Sequence, residues 1–506
     1  MVTTVSTVAL YGLDGFEVVV ECNCEKGIPD ISVIGLPDTS VKEAIDRIRS
    51  AAENNSLPFV RNRTVFNLAP ADKKKTGAYF DLPLIVALLK HSVLKDVNTD
   101  GACFIGELSL KGELRRVDGA LAMCIAARRA RCNKIFLPAE NTAEATLVEG
   151  VEVYGITSLA QLLAHLTGQA VINPSTHVSD SGFTVRPEVD FSDIKGQEFA
   201  KRAMEVAAAG SHNILLIGPP GAGKSMLSKA LAGILPDMTY SEMIETTNIH
   251  SISGTLKDSA HLMSSRPVRS PHHTVSNIGL AGGGVPPKPG EVTLAHNGVL
   301  FLDEFPEFDK KAIEILRQPL EDGKVTITRA GYKITYPSRF MLVAAMNPCP
   351  CGYYGSSRGT CKCELGQIRR YLSKISGPLL DRMDIQVEVP ALSFDDITDG
   401  DPLETSAQVK ARVNAARTFR HERLARLGVE DNSPDCDRKE VCSLTREAED
   451  ALKGMFDKLA LSARGYTRIL RLSRTVADLD ASNDILSYHV YEAMRLRNLD
   501  KKYFGI

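Results

Sequence analysis

The chain has 506 residues, 43% hydrophobic and 24% charged, with a formal net charge of −2. That length favours two to four domains with sizeable cores, and the near-neutral balance excludes a general polyanion binder, so any nucleic-acid surface has to be local. No run of eighteen apolar residues and no charged start followed by an apolar stretch occurs, which predicts neither a membrane span nor a secretion signal.

Residues 1–168 read as a first unit. β-like runs at 5–10, 17–21, 31–33 and 64–68 mix with helical patterns at 41–54 and 82–89. Gly106-Glu-Leu-Ser-Leu-Lys-Gly-Glu-Leu predicts a hairpin, 119–131 a helix, Lys134-Ile-Phe-Leu-Pro a strand and 157–167 a last helix. Such irregular alternation predicts α+β. Residues 169–187 are polar, with Pro and Ser, and predict a linker. A nucleotide domain over 188–395 follows, then a charged, helix-rich domain over 396–506.

The second unit opens on Gly218, Pro219, Pro220, Gly221, Ala222, Gly223, Lys224 and Ser225, which spell G-x-x-x-x-G-K-S. The apolar run Ile214-Leu-Leu-Ile217 precedes it and a helical pattern from Met226 follows. This is the strand–loop–helix setting of a phosphate-binding loop. Its glycines let backbone N–H groups turn toward phosphate oxygens, and the helix start adds positive potential. Lys224 is expected to reach the β and γ phosphates of ATP, and Ser225 to hold Mg²⁺. Met226 counts with them as a nucleotide contact.

Residues 250–292 carry Arg266, Arg269, His272, His273, three successive glycines and Lys288. Basic, glycine-rich loops suit a sliding phosphate backbone; equally, the histidines can bond within the domain or to a neighbouring subunit. Arg369 and Arg370 are further candidates for DNA contact. Next, Gly298-Val-Leu-Phe-Leu-Asp303-Glu304 predicts a buried parallel strand with acids at its carboxyl end. Asp303 would support Mg²⁺ through water and Glu304 would act as general base on the attacking water. A further strand, Arg339-Phe-Met-Leu-Val-Ala-Ala-Met-Asn347, ends on Asn347, which can bond that water or the γ-phosphate.

Cys349, Cys351, Cys361 and Cys363 form C-x-C…C-x-C with nine turn-rich residues between the pairs. Four thiolates suit tetrahedral Zn²⁺, although the spacing departs from the usual C-x-x-C, and free or redox-active thiols are the alternative. The chain's eleven cysteines are an odd count, which argues against a disulfide framework and predicts a reducing, cytoplasmic setting. Arg382, in Gly377-Pro-Leu-Leu-Asp-Arg-Met-Asp, has the permanent charge and planar fork of a guanidinium that stabilises a γ-phosphoryl across a subunit boundary; an ion pair with Asp381 or Asp384 is the alternative. Arg464, and after it Arg468, open a late helical stretch from which an arginine can reach the same subunit's nucleotide.

The series of phosphate loop, Asp-Glu strand, Asn strand, Leu-Asp-Arg and Ala-Arg-Gly resembles AAA+ ATPases. More narrowly, Arg269-Ser-Pro-His-His-Thr, Gly282-Gly-Gly, Pro289-Gly-Glu, Leu294-Ala-His-Asn-Gly-Val-Leu-Phe-Leu-Asp-Glu and Asn347-Pro-Cys-Pro-Cys-Gly resemble the magnesium-chelatase-like proteins of the ComM/YifB family along the whole chain. The resemblance implies an α/β AAA+ core with a helical lid, assembled as a homo-hexameric ring that hydrolyses ATP and acts on single-stranded or branched DNA. Its implied role is branch migration in recombination and natural transformation. A chelatase-type motor that remodels a protein without DNA is the rival.

Within the first unit, Asp72-Lys-Lys-Lys-Thr-Gly77-Ala-Tyr-Phe-Asp-Leu-Pro resembles the serine-bearing segment of Lon-type protease domains, an α+β fold related to ribosomal S5 domain 2. No serine stands in residues 77–81, and Met123 occupies the place of the catalytic lysine. A Ser–Lys pair needs a hydroxyl beside an amine, so peptide hydrolysis is not expected. A similar inactive domain belongs to the RadA recombination helicase, where it serves assembly and DNA contact; Lys73, Lys74 and Lys75 then read as a basic patch.

Overall fold

Long alternating runs of β-branched residues open the chain. In a computed structural model, β1 (Val2–Tyr11) and β2 (Asp14–Glu25) pair antiparallel over their full lengths and bury Val5, Val18, Val20 and Cys22 on one side. The structure describes all residues except 1, 60–61, 177–187, 257–261, 330–331, 357–358, 393–402, 431–440, 460–461, 498, 500–502 and 505–506. Part of the expected linker at 169–187, and the boundary expected at 395, therefore lie outside the described residues.

Two compact units divide the chain. The first comprises Met1–Phe183 together with Tyr240–Met263, the second Thr184–Thr239 together with Ser264–Ile506. The sequence reading assigned 240–263 to the nucleotide domain; the contacts assign it to the first unit.

In the first unit, β3 (Asp30–Ile34), β4 (Arg63–Ala69) and β5 (Ala102–Phe104) join the opening pair. The expected hairpin is β6 (Glu107–Leu108) with β7 (Leu114–Arg115), and β8 (Lys134–Pro138) and β9 (Glu152–Ile156) complete a mixed seven-stranded sheet ordered β3-β4-β2-β1-β5-β8-β9. Helices Thr39–Asn54 and Asp81–Leu89 pack together. The buried Asp81 joins them: it accepts from Arg47 Nε at 2.7 Å and Nη2 at 2.9 Å, and from Leu108 N at 3.0 Å. Removing either charge would strand its partner, at about 3–5 kcal/mol.

The helix Tyr240–Ile252 is held here by specific bonds. Ser251 Oγ donates to the buried Glu144, Gly119 N donates to Ser251 O at 3.1 Å, and Arg116 Nη2 donates to Leu256 O at 3.1 Å. Ile244 and Leu262 pack against the first unit's core. Lys75 is fully buried and donates to Pro70 O, while Lys73 lies over the Phe16 ring, so the three lysines do not form one exposed basic patch. Met123 is likewise fully buried.

The second unit holds a five-stranded, wholly parallel sheet of β10 (Ile214–Ile217), β11 (Val268–Arg269), β14 (Val299–Leu302), β17 (Met341–Met346) and β18 (Ile385–Glu388), ordered β11-β14-β17-β10-β18. Two small antiparallel pairs interrupt it: β12 (Gly282–Gly283) with β13 (Lys288–Pro289), and β15 (Lys324–Arg329) with β16 (Tyr332–Pro337). Every residue of β10, β14 and β17 is buried, as expected of a parallel sheet covered on both faces. Helices Ser406–Arg426, Arg446–Leu459, Ala463–Leu479 and Ser487–Arg495 form the predicted helix-rich end. Among the described residues no helix is long and apolar enough to cross a membrane.

Candidate nucleotide site

Parallel strands place their carboxyl ends on one edge, where open α/β sheets bind ligands. Three strands end there in polar residues: β10 runs into the phosphate loop, β14 into Asp303 and Glu304, and β17 into Asn347. Gly223 enters the helix Lys224–Ala230 at φ 90°, a left-handed turn that suits glycine. Lys224 folds back from that helix. Its Nζ donates to Gly218 O at 2.7 Å, Pro219 O at 2.9 Å and Asn347 Oδ1 at 3.1 Å. Burial pushes its amine down to about 8, against the opposing pull of the Asp303 charge.

Ser225 Oγ donates to Asp303 Oδ2 at 2.7 Å. A hydroxyl and a carboxylate side by side are the hard oxygen donors that fit Mg²⁺. Glu304 sits in the left-handed region at φ 51°, its N–H bonded to Asp303 Oδ1 at 2.9 Å, so its exposed side chain turns away from the strand. His273 Nδ1 lies 3.2 Å from Glu304 Oε2, and its ring lies tilted against His272, centroids 4.1 Å apart. Pro219, Ala222 and Lys224 are buried; Pro220, Gly221, Ser225 and Met226 are exposed.

The arginines gather elsewhere in this unit. Arg382 pairs with Glu321, not with Asp381 or Asp384, and donates to Pro378 O at 2.6 Å. Arg464 is exposed in the first turn of Ala463–Leu479. Arg468, one turn on, faces inward with Nε 3.7 Å from Asp384. Burial first, then the neighbouring Arg497, lowers its guanidinium; Arg382 is close enough to add to that effect. Arg382 Nε and Arg468 Nη1 are buried with no hydrogen-bond partner. Among the described residues no hydrogen bond or ion pair joins Arg382, Arg464 or Arg468 to residues 218–226.

The four cysteines converge. Cys349 and Cys351 Sγ are 3.4 Å apart, Cys349 and Cys361 3.7 Å, Cys351 and Cys361 3.6 Å, and all four sulfurs lie within 4.8 Å of one another. Tetrahedral zinc with Zn–S near 2.3 Å needs sulfurs about 3.8 Å apart, so the donor set fits. Backbone N–H groups of Tyr353 and Lys362 lower the Cys351 thiol to about 6, toward the thiolate a metal takes.

Several candidate DNA contacts are engaged internally. Arg266 donates to Pro236 O and Asn297 O, both at 2.7 Å, and Arg269 grips Glu291 at 2.7 and 2.8 Å. Lys288, Arg369 and Arg370 remain exposed. The sequence reading missed the β15–β16 hairpin, whose solvent face carries Lys324 and Lys333 among Thr326, Thr328 and Thr335 and no acid. Its signal was legible: Val325, Ile327, Tyr332, Ile334 and Tyr336 alternate with polar residues. The contact of His273 with Glu304 carried no such signal, because it spans two separate strands' ends.

Known proteins are similar to this sequence along nearly its whole length. Family models described as Magnesium chelatase, subunit ChlI; Subunit ChlI of Mg-chelatase; and Magnesium chelatase, subunit ChlI C-terminal match residues 190–397, 20–141 and 403–497. The chain is 41% identical to Competence protein ComM of Haemophilus influenzae, over 97% of this chain and 96% of that protein. It is 41% identical to the uncharacterized protein YifB of Escherichia coli, over 98% and 97%. To the Magnesium-chelatase 38 kDa subunit of Rhodobacter capsulatus it is 27% identical, over 47% and 67%.

Proposed function

The chain belongs to the magnesium-chelatase-like AAA+ proteins of the ComM/YifB family, and on that premise we propose that it is a ring-forming ATPase that drives movement along DNA. Its task would be branch migration in recombination and natural transformation, carried out in the cytoplasm by a homo-hexamer. The observation that carries this reading is the split of the catalytic groups. Lys224, Ser225, Asp303, Glu304 and Asn347 share one sheet edge, while Arg382 and Arg468 gather at another place in the same unit.

In this mechanism the backbone of residues 218–226 cradles the phosphates and Lys224 neutralises β and γ charge. Ser225 and Asp303 would hold Mg²⁺, which would supply positive charge to offset that of the phosphates. Asn347 orients the attacking water and Glu304 takes its proton. His273 holds the Glu304 carboxylate at 3.2 Å. Arg382 completes a neighbouring subunit's pocket, so ring geometry and nucleotide state are linked. Arg464 or Arg468 senses the nucleotide from the lid.

We assign 1–168 together with 240–263 as a Lon-protease-like domain without catalytic residues, 169–187 as linker, 188–239 together with 264–395 as ATPase core with the cysteine insert 349–363, and 396–506 as lid. Cys349, Cys351, Cys361 and Cys363 hold a structural Zn²⁺. The basic face of the β15–β16 hairpin, with no carboxylate to repel a phosphate backbone, supports DNA contact. The competence protein's name supports the same direction. The likeness to a chelatase subunit favours the rival, a motor that remodels a protein without DNA.

ATPase rate measured against forks, junctions, single strands and duplexes separates the two: several-fold stimulation by branched or single-stranded DNA is expected, and indifference to every DNA selects the rival. Glu304→Gln keeps the hydrogen-bonding shape but removes the base. Turnover should fall about 10²–10⁴-fold with ATP still bound, and the protein should run as a ring on a sizing column in ATP. A monomer there counts against the ring.

A further inference from the structure

The four-sulfur cluster meets the phosphate loop from two sides. On one side, Asn347 accepts from Lys224 Nζ at 3.1 Å, and only Pro348 separates it from the fully buried Cys349. On the other, Gly352, next to Cys351, has φ 85° and lies so close to the loop that a β-carbon there would come within 2.4 Å of Pro220 Cδ. The helix after the cluster (Leu365–Leu372) lies on a third side, with Tyr371 beside the Asn347 backbone. Lys224 in turn holds the Gly218 and Pro219 carbonyls. The turn from Cys349 to Gly352 is thus wedged between the phosphate loop and the polar end of β17, and the sulfurs set its shape.

We infer that the cysteine loop is a metal-dependent clamp on the nucleotide site. Zn²⁺ shared by the four thiolates holds Gly352 against Pro220, and Asn347 against Lys224, at the spacing a phosphate chain needs. A short, turn-rich segment takes its shape from the metal, so zinc loss frees both contacts together. The cysteines and Gly352 are positioning residues: Gly352 touches the phosphate loop at Pro220, and the cysteines act through it and through Asn347. The inference rests on the zinc reading given above for the same four residues.

The test uses the full-length protein and three readouts: zinc per chain, the Kd of a fluorescent ATP analogue, and the urea midpoint of unfolding. Wild type should carry one zinc. Stripping it with a chelator under native conditions should weaken nucleotide binding about tenfold, and adding zinc back should restore it. Gly352→Ala should keep its zinc and lower the unfolding midpoint only modestly, since a β-carbon at φ 85° is strained, yet bind nucleotide about tenfold more weakly, because its methyl presses on Pro220. Wild type purified without zinc overturns the metal reading beneath the inference. Zinc-loaded wild type that binds nucleotide equally well after stripping, or a zinc-loaded Gly352→Ala with unchanged Kd, overturns the clamp and leaves the metal reading standing.

Discussion

Lys224→Ala should lower kcat/KM for ATP by at least about three orders of magnitude, chiefly by loss of binding. The buried ammonium spends its three hydrogens on Gly218 O, Pro219 O and Asn347 Oδ1, and an entering phosphate competes for them. Alanine removes the charge that draws the phosphate and leaves three acceptors facing each other. Burial adds a pH signature, because the amine is pushed down to about 8 from an ordinary 10.5. Between those values the folded chain has released a proton that the unfolded chain keeps, so this group makes stability rise with pH across that window. Phosphate favours the ammonium, so binding takes up a proton above pH 8. The wild-type Kd for ATP should therefore be about tenfold weaker at pH 9 than at pH 7. Calorimetric titration at both values checks it; an affinity that does not change, or turnover retained by the alanine variant, removes Lys224 from the phosphate.

Arg382→Ala should cut kcat by about 10³–10⁵ while leaving the Kd for ATP near its wild-type value. Its guanidinium is tied to Glu321 and Pro378, has a buried Nε with no partner, and makes no hydrogen bond or ion pair with its own phosphate loop among the described residues. An arginine so placed can serve a phosphate presented by another copy. Mixing gives the decisive measurement. Lys224→Ala and Arg382→Ala are each inactive alone, but a mixed ring contains pockets with an intact loop from one variant and an intact arginine from the other. Partial recovery of ATPase on mixing is expected. Were Arg382 a structural ion-pair partner of Glu321 alone, mixing would recover nothing and the single variant would lose stability instead.

The nucleotide edge was legible because each of its parts is local. Three short apolar runs ending in Gly218, Asp303 and Asn347 read as buried parallel strands, and parallel pairing brings their ends together without further information. The cysteines read as a cluster for the same reason, with a turn-rich spacer to close the ring of sulfurs. What escaped the sequence is what depends on distant partners. Lys75 and Lys73 are near neighbours in one charged run, yet one is buried on Pro70 and the other lies over Phe16. Arg464 and Arg468 differ by one helical turn, and only the fold turns Arg468 toward Asp384. The pairing of Arg382 with Glu321 links two segments that no local pattern connects.

The helix Tyr240–Ile252 has a consequence of its own. The chain leaves the second unit soon after the phosphate-loop helix, contributes residues through Met263 to the first unit's interior, and returns just ahead of β11 and His273. Three covalent crossings therefore stitch the two halves: one at 183–184, one at 239–240 and one at 263–264. Cleaving the first alone would not separate them, and a motor fragment begun at Thr184 would carry a helix stripped of its burial partners. Anyone wishing to isolate the motor must excise that helix as well and rejoin Thr239 to Ser264.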